Sequence, residues 1–333
     1  MKTAAVLSFS QRGADTAQRV ARALEGEYAV ACHAPKGNLK ALTGELFHSV
    51  DALIFVGAMG IAVRAIAPLI VSKTSDPAVL VLDEQAQHVI SVLSGHIGGA
   101  NELTLALAEA LGSEAVITTA TDVNHRFSVD AWAARQGLRI ESMPLAKRYA
   151  AEILKRDLPF TADVPVEGAL PPGVFKADSG DLGAAVTYRD VKPFDKTLRL
   201  IPPVLMLGIG CKRDTPAERI RRAVEDVFAQ NSLLLSAAGG VASIDVKSNE
   251  AGLLSFAEEL GIVPVFYSAE ELRSVPGEFT ASAFVAGTVG VDNVCERAAV
   301  LSAGEDGELL VRKTSQNGVT VAVARKIRRI TFE

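Results

Sequence analysis

Nine consecutive residues, Ser94-Gly95-His96-Ile97-Gly98-Gly99-Ala100-Asn101-Glu102, bring together an imidazole, an amide, a carboxylate and three glycines. They join an apolar run, His88 to Leu93, to a segment with apolar residues at helical spacing, Ala100 to Leu111. Glycines at such a strand-to-helix turn let the backbone approach a ligand closely. Free N–H groups and the helix dipole then favour an anion or a developing oxyanion. The plain alternative is a tight turn capped by His96. The density of reactive types in so short a stretch favours chemistry.

Three further loops carry polar groups beside strands. Gly57-Ala58-Met59-Gly60 follows the apolar run Ala52 to Val56, with Arg64 in the segment behind it. A guanidinium there suits a carboxylate through its planar fork, although an arginine on a solvated helix face reads the same way. Lys73-Thr74-Ser75-Asp76-Pro77 precedes a strand-like run, and Thr118 to His125, containing Thr121, Asp122 and Asn124, follows one. In open α/β sheets ligands gather outside the carboxyl ends of strands, where loops of the second kind lie. Together these loops offer a lysine for charge, carboxylates for proton transfer and hydroxyls for hydrogen bonds; each alone is also consistent with an ordinary turn.

The elements that must hold these loops read as alternating strands and helices. Thr3 to Phe9, Tyr28 to His33, Ala52 to Val56, Ala78 to Leu82, His88 to Leu93 and Ala115 to Thr118 are mostly continuous apolar runs, which suit strands buried on both faces. Between Met143 and Pro203 the texture changes, with more than half of the chain's 14 prolines and few periodic apolar positions. From Val204 the alternation resumes. A strand leads through Gly208-Ile209-Gly210-Cys211-Lys212-Arg213 into Thr215-Pro216-Ala217-Glu218, read as a capping box, and Ser268 to Glu271 reads as a second one. The expected fold class is α/β, with two three-layer α/β/α domains, residues 1–142 and 204–333, joined by a proline-rich middle region, residues 143–203.

Composition narrows the function. At 333 residues the chain needs more than one core, and 49% hydrophobic against 22% charged residues argues against disorder. A formal net charge of -5 with scattered Lys and Arg argues against nucleic acid. Cys32, Cys211 and Cys295 lie far apart, without metal-ligand spacing, and read as free thiols of a reducing compartment. The opening residues lack a secretory apolar stretch, and no run approaches a membrane span. A cytoplasmic location is expected, with no membrane partner. There is no GxGxxG, no GxxxxGK[ST], no HExxH and no GxSxG, which removes the common dinucleotide, phosphate, zinc-protease and serine-hydrolase signatures. No protein-bound metal or cofactor is expected.

Four phrases taken in order, GAMGIAVRAIAPL (Gly57 to Leu69), KTSDPAVLVLDE (Lys73 to Glu84), LSGHIGGANELT (Leu93 to Thr104) and VITTATDVN (Val116 to Asn124), closely resemble the amino-terminal domain of the CbiG family, the cobalt-precorrin-5A hydrolases of anaerobic cobalamin synthesis. LGIGCKRDTP (Leu207 to Pro216), ASIDVKSNEAGL (Ala242 to Leu253) and VGVDNVCERAA (Val289 to Ala299) resemble its second domain, with Arg297 where the family pattern has proline. The resemblance implies a hydrolase that opens the ring-A δ-lactone of a cobalt-bound tetrapyrrole and releases acetaldehyde. Cobalt would arrive with the substrate. That chemistry needs oxyanion donors, assigned to Gly98 and Gly99, a proton shuttle or water activator, His96, and a second base, Asp122 or Glu102. Substrate contacts would come from Gly57, Gly60, Arg64, Lys73, Thr74, Ser75, Asp76, Asn101, Thr121, Asn124, Gly208, Gly210, Lys212, Arg213 and Lys247, the cations meeting substrate carboxylates. Candidate protein partners are neighbouring methyltransferases of the pathway and further copies of the chain. The rival reading is a non-catalytic carrier of corrinoid intermediates.

Overall fold

The computed structural model describes residues 1–72, 75–281, 287 and 290–332, so that Lys73 and Thr74 lie outside the described residues. The apolar runs of the amino-terminal third form one sheet: β1 (Lys2–Ser8), β2 (Tyr28–His33), β3 (Ala52–Val56), β4 (Ala78–Leu82), β5 (His88–Leu93) and β6 (Glu114–Val116), in the order β2-β1-β3-β4-β5-β6. Every residue of β3 and β4 is buried, as continuous apolar strands require when helices cover both faces. The helices are α1 (Gln11–Ala23), α2 (Leu39–Phe47), α3 (Met59–Ile66) and α4 (Ala100–Leu111). On one face Val6, Ile54 and Leu80 pack with Val20 of α1 and with Leu103 and Leu107 of α4. On the other, Leu53, Phe55 and Val79 pack with Phe47 of α2 and Ile66 of α3.

One reversal in this sheet decides where its loops converge. Strands β1 to β4 run parallel to their neighbours, whereas β5 is antiparallel to β4, and β6 is parallel to β5. The link from β4 to β5 is only residues 83–87, too short for a parallel crossover. Asp83 closes it by accepting from the N–H groups of Gln85 at 2.9 Å and His88 at 2.7 Å. Consequently β5 and β6 end at the edge where β3 and β4 begin. The turn at Gly57 to Gly60 follows β3 and lies at the opposite edge.

The chain divides into two compact units, residues 1–134 with 150–156, and residues 135–149 with 157–333. Past β6 come two short helices, α5 (Ala120–Val123) and α6 (Val129–Arg135), then α7 (Met143–Ile153). The proline-rich stretch is folded: β7 (Arg139–Ile140), β8 (Leu158–Ala162), β10 (Val174–Lys176), β11 (Leu182–Val186) and β12 (Lys196–Ile201) form a sheet in the order β10-β8-β11-β12-β7. Pro165, Pro171, Pro172, Pro193, Pro202 and Pro203 all fall in its connections, where a missing N–H interrupts no ladder. A small ladder pairs β9 (Val166–Glu167) with β18 (Ile330–Thr331).

The carboxy-terminal sheet has the order β15-β14-β13-β17-β16, from β13 (Leu205–Cys211), β14 (Ala238–Ile244), β15 (Val265–Tyr267), β16 (Glu308–Gln316) and β17 (Val319–Arg325). Its helices are α8 (Ala217–Gln230), α9 (Ala251–Glu259), α10 (Ala269–Ser274) and α11 (Cys295–Ala303). The first and the carboxy-terminal sheets therefore both belong to α/β layers, as the apolar patterning requires. Met206, Ala322 and Ala324 form a face onto which α11 packs through Cys295 and Ala299, while α8 packs against β17. Two local expectations change. Gly208 and Gly210 lie inside β13 rather than in a turn beyond it, and the Thr215 hydroxyl donates back to the Lys212 carbonyl at 2.7 Å, leaving Pro216 at the N-cap without a side-chain cap. The box at Ser268 and Glu271 does form. Among the described residues no helix is long and apolar enough to cross a membrane.

Candidate active site

The reversed edge of the first sheet gathers three of the loops singled out in the sequence. Ser94, just past β5, takes a left-handed conformation, φ 57°, which costs a non-glycine residue roughly 1–2 kcal/mol and is held by its hydroxyl donating to the Asp76 carbonyl at 3.0 Å. This twist turns the following residues across the edge. Gly95 cannot carry a side chain, because a Cβ would fall 2.6 Å from Asn101 Oδ1, and a Cβ on Gly98 would fall 2.4 Å from that of Ser94. The Gly99 N–H donates to the His96 carbonyl at 3.0 Å, whereas among the described residues the Gly98 N–H meets no acceptor. Of the two proposed oxyanion donors, Gly98 is thus the one without an acceptor among the described residues.

His96 is the centre of this edge. Its Nε2 lies 2.9 Å from Asp122 Oδ2 and 3.2 Å from Thr121 Oγ1, both brought by α5, and its Nδ1 lies 3.4 Å from Asp130 Oδ1, brought by the first turn of α6. Burial alone would push the imidazolium toward losing its proton. The carboxylates of Asp130 and Asp122 outweigh that, and the His96 pKa ends above its ordinary value. At neutral pH the ring is thus biased toward the charged form, a proton donor more than a base. Asn101 locks the arrangement from α4: its amide donates to Thr119 Oγ1 at 2.9 Å and to Asp122 Oδ2 at 3.1 Å, and accepts from Ser91 Oγ at 2.7 Å.

Other expected residues take different places. The Asp76 carboxylate is buried and engaged by the N–H groups of Val71 and Ser72, both at 3.1 Å, so it shapes its loop. Ser75 sits exposed beside it. Glu102 is exposed in the first turn of α4, and the Asn124 amide caps the Ala120 carbonyl at 2.8 Å. Arg64 is exposed on α3, its guanidinium folded back to the Gly60 carbonyl at 3.4 Å, and Gly57 and Gly60 occupy the far edge of the sheet from His96.

In the carboxy-terminal sheet the two strand glycines serve packing: a Cβ on Gly208 would fall 1.8 Å from the Cys295 carbonyl oxygen, and one on Gly210 2.5 Å from Thr320 Oγ1. Lys212 and Arg213 are exposed. Lys247 pairs with Glu250 at 2.8 Å, and that bond holds the Glu250 carboxyl below its usual range. Arg297 bonds Asp292 at 2.9 Å and lies over the Phe279 ring at 4.5 Å.

Asp130 and Ser91 escaped sequence reasoning, and Thr119 lay in the Thr118 to His125 loop without being singled out. Asp130 offered one available signal, a lone carboxylate in the otherwise apolar start of VDAWAAR.

Residues 41–122 match the family model described as Cobalamin synthesis G N-terminal, and residues 205–324 match Cobalamin synthesis G C-terminus. The first span contains His96 and Asp122. A cobalt-precorrin-5A hydrolase of Priestia megaterium is 34% identical over 310 residues, covering 86% of this chain and 82% of that protein. One from Salmonella typhimurium is 36% identical over 293 residues, covering 84% and 83%. The crystal structure of a cobalamin biosynthesis protein G homologue from Sulfolobus solfataricus covers 97% of each chain at 23% identity, with a TM-score of 0.45. With both family domains present in order and identity of this level running over most of its length, the chain belongs to the cobalamin synthesis G (CbiG) family.

Proposed function

We propose that this chain is a cobalt-precorrin-5A hydrolase whose proton-handling centre is the pair His96 and Asp122. Cobalt enters as part of the substrate. Water attacks the lactone carbonyl while Asp122 takes one of its protons. The carbonyl oxygen, now negative, is held by the Gly98 N–H, and the tetrahedral species collapses by breaking the bond to the ring oxygen. His96 gives its Nε2 proton to that leaving oxygen, producing a carboxylic acid and a free hydroxyl. In the second stage the neutral ring takes the hydroxyl proton back as the carbon–carbon bond to the macrocycle breaks. The electron pair passes to the macrocycle carbon, which is protonated in turn by Asp122, and acetaldehyde leaves.

The observation that carries this reading is the His96 Nε2 to Asp122 contact of 2.9 Å beside a glycine loop whose Gly98 N–H meets no acceptor among the described residues. A general acid or base of this kind contributes about 10² to 10⁴ in rate. Single-turnover release of acetaldehyde from cobalt-precorrin-5A by the parent, His96→Ala and Asp122→Asn measures it. Folded variants that still release acetaldehyde within a few fold of the parent would remove the centre from this edge.

A further inference from the structure

His96 meets two carboxylates that differ sharply in exposure. The side chain of Asp122 on Nε2 is 36% exposed, and that of Asp130 on Nδ1 is 7% exposed. A buried carboxylate is tolerated when donors and a cation face it. Asp130 has both, since Ser128 Oγ donates to its Oδ1 at 3.1 Å and the Ala131 N–H at 3.2 Å, and the His96 imidazole stands 3.4 Å from the same oxygen. The groups around the ring come from separate elements: Thr121 and Asp122 from α5, Asp130 from α6, and Asn101 from α4 acting through Asp122. An inner acid on Nδ1 and an outer reactive nitrogen is the arrangement by which a carboxylate fixes a catalytic imidazole in one tautomer.

We propose that Asp130 is the positioning residue of this centre, holding the His96 ring with a proton on Nδ1 so that Nε2 is the nitrogen that exchanges its proton with substrate. This rests on the reading of His96 as the proton-handling group. Asp130 itself stays out of reach of substrate. Its buried charge keeps the ring an acid in the first stage, and with the remaining ring proton on Nδ1, 3.4 Å from Asp130, Nε2 is the nitrogen that takes a proton back in the second.

Two measurements test it. Imidazole nitrogen NMR of the parent, with His96 assigned by loss of its signals in His96→Gln, should show the neutral ring carrying its proton on Nδ1; a ring protonated on Nε2 instead overturns the proposal and needs no Asp130 variant. In Asp130→Asn the His96 titration should move to lower pH. The alkaline limb of single-turnover acetaldehyde release should move with it, and the rate at pH 8 should fall by roughly 10²-fold with KM little changed. Asp130→Glu should recover part of that loss. A His96 titration that stays in place in folded Asp130→Asn overturns the assignment, whatever the activity. Full activity in His96→Gln would instead overturn the proposed function while the NMR result on Asp130 stood.

Discussion

The side-chain amide of Asn101 lies 3.1 Å from Asp122 Oδ2, the same carboxylate oxygen that meets His96. Asp122 is therefore aimed by a buried residue of a different helix, and the accuracy of the His96 contact depends on α4 as much as on α5. Asn101→Ala should leave the Ser91 and Thr119 hydroxyls without their amide partner, at about 1–3 kcal/mol of stability. Acetaldehyde release should drop while substrate affinity changes little. Equilibrium unfolding and single-turnover kinetics separate the two effects.

Stability should depend on pH through His96. Its folded pKa is raised, so its contribution is fully present below the ordinary histidine value of 6.5 and is lost as pH rises through the higher folded value. Denaturant midpoints of the parent should fall across that alkaline window more steeply than those of His96→Gln. Parallel slopes in the two proteins would mean that the carboxylates do not hold the ring charged.

Glycine replacements should grade with what the new methyl group meets. Gly208→Ala drives a Cβ to 1.8 Å from a backbone carbonyl and Gly210→Ala to 2.5 Å from a side-chain hydroxyl that can turn away. The first should lose at least about 1–3 kcal/mol, the second less. Thermal unfolding of both variants gives the order directly. A Gly208→Ala protein as stable as the parent would restore the possibility that this glycine faces a ligand.

Glu296 is fully buried, and its carboxylate accepts from the Thr280 N–H and hydroxyl, both at 2.8 Å, and from the Lys313 N–H at 2.6 Å. Glu296→Gln turns one of these acceptors into a donor facing donors. A loss of about 1–3 kcal/mol is expected in chemical denaturation, with acetaldehyde release intact in the fraction that remains folded.

Much of the first sheet was legible because its strands are continuous apolar runs bounded by glycine or polar turns; β2, β3, β4, β5 and α4 begin and end where the residue pattern says. The direction of β5 was not legible, since apolar runs carry no sign of strand polarity, and only the brevity of Asp83 to Gln87 hints at it. The middle sheet stayed hidden because its strands are short and the prolines around them, most in connections and Pro159 inside β8, break the apolar pattern. At the site, His96, Asp122, Asn101 and Thr121 stood out by type and neighbourhood. Asp130 did not, because its partner lies 34 positions away in a different element and burial is invisible in the letters. Gly208 and Gly210 misled for the converse reason: a glycine that admits a helix and one that admits a ligand look alike in sequence.

The left-handed turn at Ser94 and the reversal of β5 also bear on how the site comes into being. Every side chain that fixes His96, from Ser91 through Asn101, Thr119 and Asp122 to Asp130, is contained in one continuous span of chain, although the sheet beneath it also needs strands from residue 2 onward. Loops of that length close at little entropic expense, each doubling adding only about 0.6 kcal/mol. During synthesis the imidazole can therefore meet its partners as soon as α6 has emerged, before the strands of the middle and carboxy-terminal sheets have been made.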